Sequence, residues 1–81
     1  MSGGVPAISG VDLARLLEKD GWICDARSTH GLTYKKMVAG ELLITTIPNK
    51  TRPLCKATLR QILGPKQTRL GRSGLLRLLS L

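Results

Sequence analysis

The chain has 81 residues, enough for one domain, and with one Trp, one Tyr and no Phe its core must consist mostly of Leu, Ile and Val. A domain of this size leaves little room for a deep internal pocket, so we predict no cofactor and expect any functional site at the surface. The net charge of +8 comes from residues 42–81, which contain no acidic residue, and this asymmetry predicts a polyanionic partner (nucleic acid, an acidic protein or an anionic membrane), with a merely soluble basic surface as the alternative.

Cysteine usage and hydropathy indicate the compartment. The chain has two cysteines, no Cys-x-x-Cys pair and one His, whereas a structural zinc site usually needs four such ligands, so we predict no metal site. The N-terminus lacks the charged start and apolar run of a signal peptide. No stretch approaches the roughly 20 apolar residues that cross a bilayer. We therefore expect a cytoplasmic protein without membrane association, in which Cys24 and Cys55 are reduced.

Helical and alternating patterns define six elements. Ser9 with Asp12 three positions later is close to a capping box and predicts a helix start. Gly64 followed by Pro65 predicts a helix end, with the glycine in a left-handed conformation. The predicted elements are a helix over 10–20, strands over 22–27, 31–35 and 41–47 with a turn over 36–40, a helix over 55–63 and a short helix over 72–80.

This order predicts an α+β fold. Strands joined by short turns should form a three-stranded antiparallel sheet, with the first two helices packed on one face and the other face, near His30, open to solvent. In the strand over 22–27, we expect Trp22, Cys24 and Ala26 on one side. A flexible N-terminus over 1–8 would precede a single domain over 9–81, with a core over 9–64 and an extension over 65–81. The last helix would pack on the domain or on a partner.

Four short motifs resemble one protein family. They are LLEKDGW at 16–22, Ser28-Thr29-His30, ITTIP at 44–48 and KATLRQIL at 56–63. In this order and spacing, spanning about 9–63, they resemble the HicA toxins of bacterial and archaeal toxin–antitoxin pairs. The chain departs from the family pattern at Ser28 and Ala57, where Gly is usual, and at Gly31, where many members have a second His.

The resemblance implies both a fold and an activity. The fold would be like that of a double-stranded-RNA-binding domain (dsRBD-like). The activity would be that of an endoribonuclease, an mRNA interferase that hydrolyses phosphodiester bonds in single-stranded mRNA without a metal. The partner would be an antitoxin protein of the HicB type. The catalytic histidine of the family corresponds to His30.

The chemistry of RNA cleavage suits these residue types. The 2′-hydroxyl of RNA can attack the adjacent phosphorus, so a catalyst must move protons and stabilise charge on the phosphate. A histidine can accept or donate a proton near neutral pH, and Lys or Arg stabilises the charge. One histidine excludes a two-histidine mechanism within one chain. The candidate residues are His30 for catalysis and Thr29, Lys35, Lys36, Lys50, Arg52 and Lys56 for RNA or phosphate binding.

Several alternatives remain open at this stage. His30 would otherwise be a solvent-facing turn residue, Thr29 either orients its ring or caps the turn, and Lys35 and Lys36 otherwise keep a sheet edge soluble. Tyr34 either stacks on a base or, as we favour, packs in the core, and Asp25 would orient His30 if the strands pair closely. The alternative functions are a non-catalytic RNA- or DNA-binding module and a protein-interaction subunit with an acidic partner.

Overall fold

A computed structural model describes residues 7–80 and confirms the predicted α-β-β-β-α order with an additional C-terminal helix. The three strands form one antiparallel sheet in the order β1-β2-β3. Within the described residues, no helix is both long and apolar enough to cross a membrane. The elements are α1 (Gly10–Lys19), β1 (Ile23–Arg27), β2 (Gly31–Val38), β3 (Glu41–Pro48), α2 (Lys56–Leu63) and α3 (Gly71–Leu79).

The first helix begins and ends at the signals that the sequence contains. The Ser9 side chain accepts a hydrogen bond from the Asp12 backbone N–H at 3.1 Å, which satisfies one of the free donors of the first turn. Leu13 and Leu17 lie one turn apart on the same face and are fully buried. Gly21 follows with φ of 95°, a conformation that glycine adopts without steric cost.

Alternation along β2 and β3 divides the sheet into two faces. The inner face contacts the helices, and its buried side chains are those of Leu32, Tyr34, Leu43, Thr45 and Ile47. The outer face is open to solvent. On it, the pairing of β2 with β3 sets Thr33 beside Thr46, Lys35 beside Ile44 and Met37 beside Leu42. Because Tyr34 lies on the inner face at 1% exposure, it packs in the core, and its alternative role as a base-stacking residue is wrong.

The predicted turn over 36–40 is wrong in extent. Residues 36–38 continue β2 and pair with residues 41–43 of β3, so the turn itself is only Ala39 and Gly40. Both have positive φ, at 51° and 81°, as a two-residue hairpin turn of type I′ requires. Alanine is rarely found in that conformation, so the sequence contained no clear sign of so tight a turn.

An irregularity in β1 corrects the predicted alternation of that strand. The register with β2 shifts between Cys24 and Ala26, so that Asp25 is an extra residue in the ladder. As a result Cys24 is half-buried, but Ala26 is exposed and pairs with Thr33 of the outer face. A strict two-residue period cannot predict such a bulge.

The second helix ends at Gly64, as predicted, but by a different backbone conformation. Gly64 has φ of −76° and ψ of 172°, which is extended and not left-handed. The steric demand of the following Pro65 explains this, because a residue before proline favours the extended region. The left-handed turn comes later, at Arg69 and Gly71, and leads into α3.

The helices bury the inner face with a core made mostly of Leu and Ile, together with Ala14, Trp22 and Tyr34. Leu59 and Ile62 of α2 and Leu75 and Leu78 of α3 are buried, so α3 packs on the domain and contacts both α1 and α2. Each fully buried Leu or Ile stabilises the fold by about 1.5–3 kcal/mol. Of the predicted flexible N-terminus, residues 1–6 lie outside the described part of the chain. Ile8 is buried, and its carbonyl accepts a hydrogen bond from the Leu54 N–H at 2.8 Å.

Polar side chains connect the helices to the sheet. The Tyr34 hydroxyl donates to Glu18 of α1 at 2.6 Å, and Thr45 donates to Gln67 at 2.5 Å. The Asp20 carboxylate accepts a hydrogen bond from the Trp22 indole N–H at 3.2 Å. The Lys36 ammonium donates to the backbone carbonyl of Asp20 at 2.6 Å. These contacts satisfy polar groups at the margin of the core, where an unpaired group would cost about 1–3 kcal/mol.

The single tyrosine provides a direct test of this packing. Burial, together with the hydrogen bond to the Glu18 carboxylate, raises the pKa of Tyr34 to about 12. Because its pKa in the unfolded chain is about 10, the group stabilises the fold below pH ~10, and this contribution is lost as the pH rises toward 12. We expect the phenolate absorbance of the folded protein to have its midpoint near pH 12. In Glu18→Gln the midpoint should fall toward the ordinary value. A midpoint near 10 in the folded wild type would contradict the buried position.

Candidate active site

His30 lies at the tip of a tight turn between β1 and β2. The Ser28 backbone N–H donates to the Gly31 carbonyl at 2.9 Å and closes the turn. The Ser28 hydroxyl accepts from the backbone N–H groups of His30 and Gly31 at 3.2 and 3.1 Å. Serine stabilises turns by this type of side-chain-to-backbone bond. The turn therefore holds the backbone of His30 in place and leaves the side chains of Thr29 and His30 exposed to solvent.

The loop after β3 lies beside this turn. Pro48, the last residue of β3, pairs with Gly31, and the Asn49 side-chain amide donates to the Ser28 carbonyl at 3.0 Å. The backbone carbonyl of the next residue, Lys50, accepts a hydrogen bond from the Val11 N–H of α1 at 3.1 Å. Asn49 was not among the predicted residues, because only the pairing of β2 with β3 places it next to Ser28. Together these bonds place exposed Lys50 on the loop that is bonded to the His30 turn.

A close approach of α1 to β3 fixes this loop further. The Gly10 backbone packs against the Pro48 carbonyl so closely that a Cβ atom at position 10 would overlap the oxygen. The first turn of α1 can lie here only because residue 10 has no side chain. The N-terminus of α1, the end of β3 and the His30 turn thus lie at the same end of the molecule.

A shallow recess of about 240 Å³ opens beside the histidine on the outer face. Arg27, Thr33 and Thr46 were not predicted as site residues. The alternation of β2 and β3 indicates that the two threonines share a face with each other, but the register that sets them side by side is set only by the folded sheet. The lining residues are Ala26, Arg27, Ser28, His30, Gly31, Thr33 and Thr46.

Lys35 and Lys36, two of the predicted phosphate ligands, lie away from His30. They are four and five positions beyond Gly31 along β2, or about 13 Å and more at the usual strand rise. The Lys35 ammonium lies 3.0 Å from the Asp25 carboxylate on the outer face. Asp25 therefore pairs with Lys35, which argues against its predicted role of orienting His30. Lys36 is bonded to Asp20 on the helix side of the sheet.

Lys50, Arg52 and Lys56 have a different electrostatic environment. All three are exposed, and none has a carboxylate within 4.0 Å among the residues that the structure describes. Arg52 directly precedes Pro53, which forms a bridge to Ser9 before α1. Lys56 is the first residue of α2, where the helix dipole favours negative charge. Two of the predicted cations, Lys35 and Lys36, are thus ion-paired on the sheet. The other three, Lys50, Arg52 and Lys56, are unpaired within residues 7–80 and lie in the loop and at the start of α2.

Cys55, the residue that precedes α2, lies beside hydrogen-bond donors of the first turn of the helix. Its thiol shares a hydrogen bond with the Thr58 hydroxyl at 3.0 Å. That bond, with backbone N–H groups of the first turn, lowers the pKa of the Cys55 thiol below its usual value. The same donors favour phosphate near Lys56.

The arrangement offers acid–base chemistry beside cations. Among the side chains that line the recess, that of His30 is of the type that serves as a general acid or base. Within residues 7–80, no three His, Cys, Asp or Glu side chains cluster as metal ligands would.

Comparison with known proteins gives no family model, no curated relative and no solved structure that matches this chain. The His30 turn, its recess and the unpaired cations are therefore the features from which a function can be inferred.

Proposed function

We propose that this protein is a cytoplasmic endoribonuclease that cleaves single-stranded mRNA with His30 as its catalytic residue. The observation that carries the proposal is the position of His30. Its backbone is braced by Ser28 at the rim of an open recess, and Asn49 binds the exposed cationic loop to the same turn. The motif resemblance to the HicA toxins supports the same function.

In the proposed reaction, the His30 imidazole accepts the proton of a ribose 2′-hydroxyl. The 2′ oxygen forms a bond to the adjacent phosphorus as the bond from phosphorus to the 5′ oxygen breaks. A water molecule protonates the leaving 5′ oxygen, and His30 later releases its proton to solvent. The products are a 2′,3′-cyclic phosphate and a 5′-hydroxyl. General base catalysis of this kind contributes roughly 10²–10⁴-fold to the rate.

The unpaired cations would hold the substrate. Lys50 follows Asn49, which is bonded to the His30 turn; Arg52 lies on the same loop, and Lys56 is the first residue of α2. Preorganised cations stabilise the charge that builds on the phosphate in the transition state. Lys35 and Lys36 contribute less in this proposal, because their charges are already compensated by Asp25 and Asp20.

The proposed partner is an acidic antitoxin of the HicB type, and the outer face suits it. Four large apolar side chains are more than half exposed there: Ile23 (63%), Met37 (62%), Leu42 (53%) and Ile44 (52%). An apolar cluster of this kind marks an interaction surface. The charge of Lys35, which lies among these side chains, is compensated by Asp25. A protein that covers the cluster and whose carboxylates reach Lys50 would also cover the recess.

Replacement of the histidine tests the catalytic proposal. We expect wild type to cut a labelled single-stranded RNA in excess chelator and His30→Ala to lose roughly 10²–10⁴-fold in rate. Because the side chain is exposed, thermal unfolding of the variant should match wild type. Equal cleavage by both proteins would contradict the proposal. Salt-dependent RNA binding without cleavage by either would favour the non-catalytic binding module.

The salt dependence of RNA binding tests whether the unpaired cations, and not the ion-paired ones, contact the phosphates. Each phosphate contact to a single strand contributes about 0.7 to the slope of log affinity against log salt. We therefore expect Lys50→Gln and Arg52→Gln each to reduce the slope by about 0.7. The matched variant Lys35→Gln, whose charge is paired with Asp25, should leave it nearly unchanged. An equal or larger effect at Lys35 would show that RNA follows the sheet and not the loop.

Co-expression with the product of the neighbouring gene, as the candidate antitoxin, tests the outer face. We expect Leu42→Asp to abolish neutralisation while cleavage by the purified variant stays at the wild-type rate, since Leu42 lies outside the recess. Leu76→Asp is the matched control, because Leu76 is an exposed leucine (41%) on α3. Neutralisation that survives Leu42→Asp, or that Leu76→Asp abolishes equally, would place the antitoxin elsewhere.

A further inference from the structure

The recess beside His30 extends beyond the turn along the outer face. Thr33 and Thr46 lie two positions from Gly31 and Pro48, or about 7 Å along each strand, and both line the recess together with His30. Acid–base chemistry at a phosphate uses the histidine and the nearby cations, so these two hydroxyl groups have no part in the cleavage step described above.

Gly31 keeps this part of the recess open. A Cβ atom at position 31 would lie 3.0 Å from the Thr46 Cγ2 atom and 3.5 Å from the Ile47 carbonyl oxygen. Any side chain there would therefore project into the space between His30 and Thr46. The volume of about 240 Å³ is below the range of roughly 300–1,000 Å³ that holds drug-sized ligands. It is of the order of a single nucleoside.

The two hydroxyl groups are available to a ligand. The Oγ1 atoms of Thr33 and Thr46 lie 3.4 Å apart across the β2–β3 pair, a long and therefore weak hydrogen bond at an exposed position. Each hydroxyl has one donor and two acceptor sites, so their mutual bond leaves one donor and three acceptor sites free. Base edges of RNA carry donors and acceptors in patterns that differ from base to base.

Arg27 forms part of the wall of the recess, but its guanidinium lies elsewhere. Its position pairs with Leu32 of the inner face, and its Nη2 atom donates to the Cys24 Sγ atom at 4.0 Å. The recess itself therefore offers a pair of hydroxyl groups and the histidine within one nucleoside-sized space.

We propose that this recess binds the nucleoside next to the cleaved phosphate, and that the Thr33 and Thr46 hydroxyl groups read the edge of its base. These threonines are specificity-determining residues, and the protein prefers particular bases at that one position of its substrate. The inference rests on the proposed function, because only cleavage at His30 places the recess next to the cleaved phosphate. The binding preference itself does not require cleavage.

The test uses RNAs that differ only in the nucleotide on one or the other side of a single cleavage site. We expect wild type to discriminate between bases at one of these positions, as kcat/KM values that differ roughly 3- to 10-fold per hydrogen bond. Thr46→Val and Thr33→Val keep the side-chain shape but remove a hydroxyl, and they should reduce this discrimination. Thr46→Ser keeps the hydroxyl and should discriminate as wild type does. Ser73→Ala, which removes an exposed hydroxyl on α3, is the control and should behave as wild type. Thermal unfolding confirms that each variant is folded.

A second measurement separates this inference from the proposed function. The same RNAs with a 2′-deoxy sugar at the cleavage site cannot be cut, and their binding is measured by fluorescence anisotropy. Base-dependent binding that the valine variants lose would uphold the inference even if no RNA is cleaved. The inference is overturned if wild type has no base preference in either measurement, if both valine variants keep the wild-type ranking, or if Ser73→Ala changes it as much as they do.

Discussion

Burial of one face of the sheet is the constraint on which the rest of this structure depends. Leu32, Tyr34 and Ile47 alternate with polar or exposed residues, and the apolar stripes of the helices cover them. The three helices of this 81-residue chain are enough to cover one side of the three-stranded sheet. The other side therefore stays open, and the histidine, the recess and the exposed apolar cluster lie on it or at its edge.

Contacts among three neighbouring segments hold the site together. Ser28 closes the turn, Asn49 bonds the loop to it, and the absence of a side chain at Gly10 lets α1 pack against the end of β3. Each contact is polar or steric, and the last two join segments that are far apart in the sequence. None of them uses the side chain of His30, which remains available to a substrate. A positioned group of this kind is what proton transfer to a bound ligand requires.

Electrostatics separates the surface into two regions. On the outer face of the sheet, Lys35 is paired with Asp25, and the large exposed side chains of the same face are apolar. Around the loop and the start of α2, Lys50 and Lys56 have no carboxylate within 4.0 Å in the part of the chain that the structure describes. A polyanion gains most at the second region and a protein surface at the first. Under the proposed function, RNA and a protein partner would therefore compete for the recess, which opens on the outer face beside the His30 turn.

Local patterns in the sequence determined the order and type of all six elements, the Ser9 cap and the burial of the Leu stripes, because these depend on periodicity and on neighbours a few residues away. The sequence also determined His30 as the candidate catalytic residue and the concentration of charge after residue 41. Strand register, which depends on long-range pairing, decided the rest. It set Thr33 beside Thr46, brought Asn49 to Ser28, paired Lys35 with Asp25 and turned Ala26 outward through a bulge. The residues near each of these positions in the sequence do not determine its partner. The partner is determined only when the strands and the helices that cover them pack together.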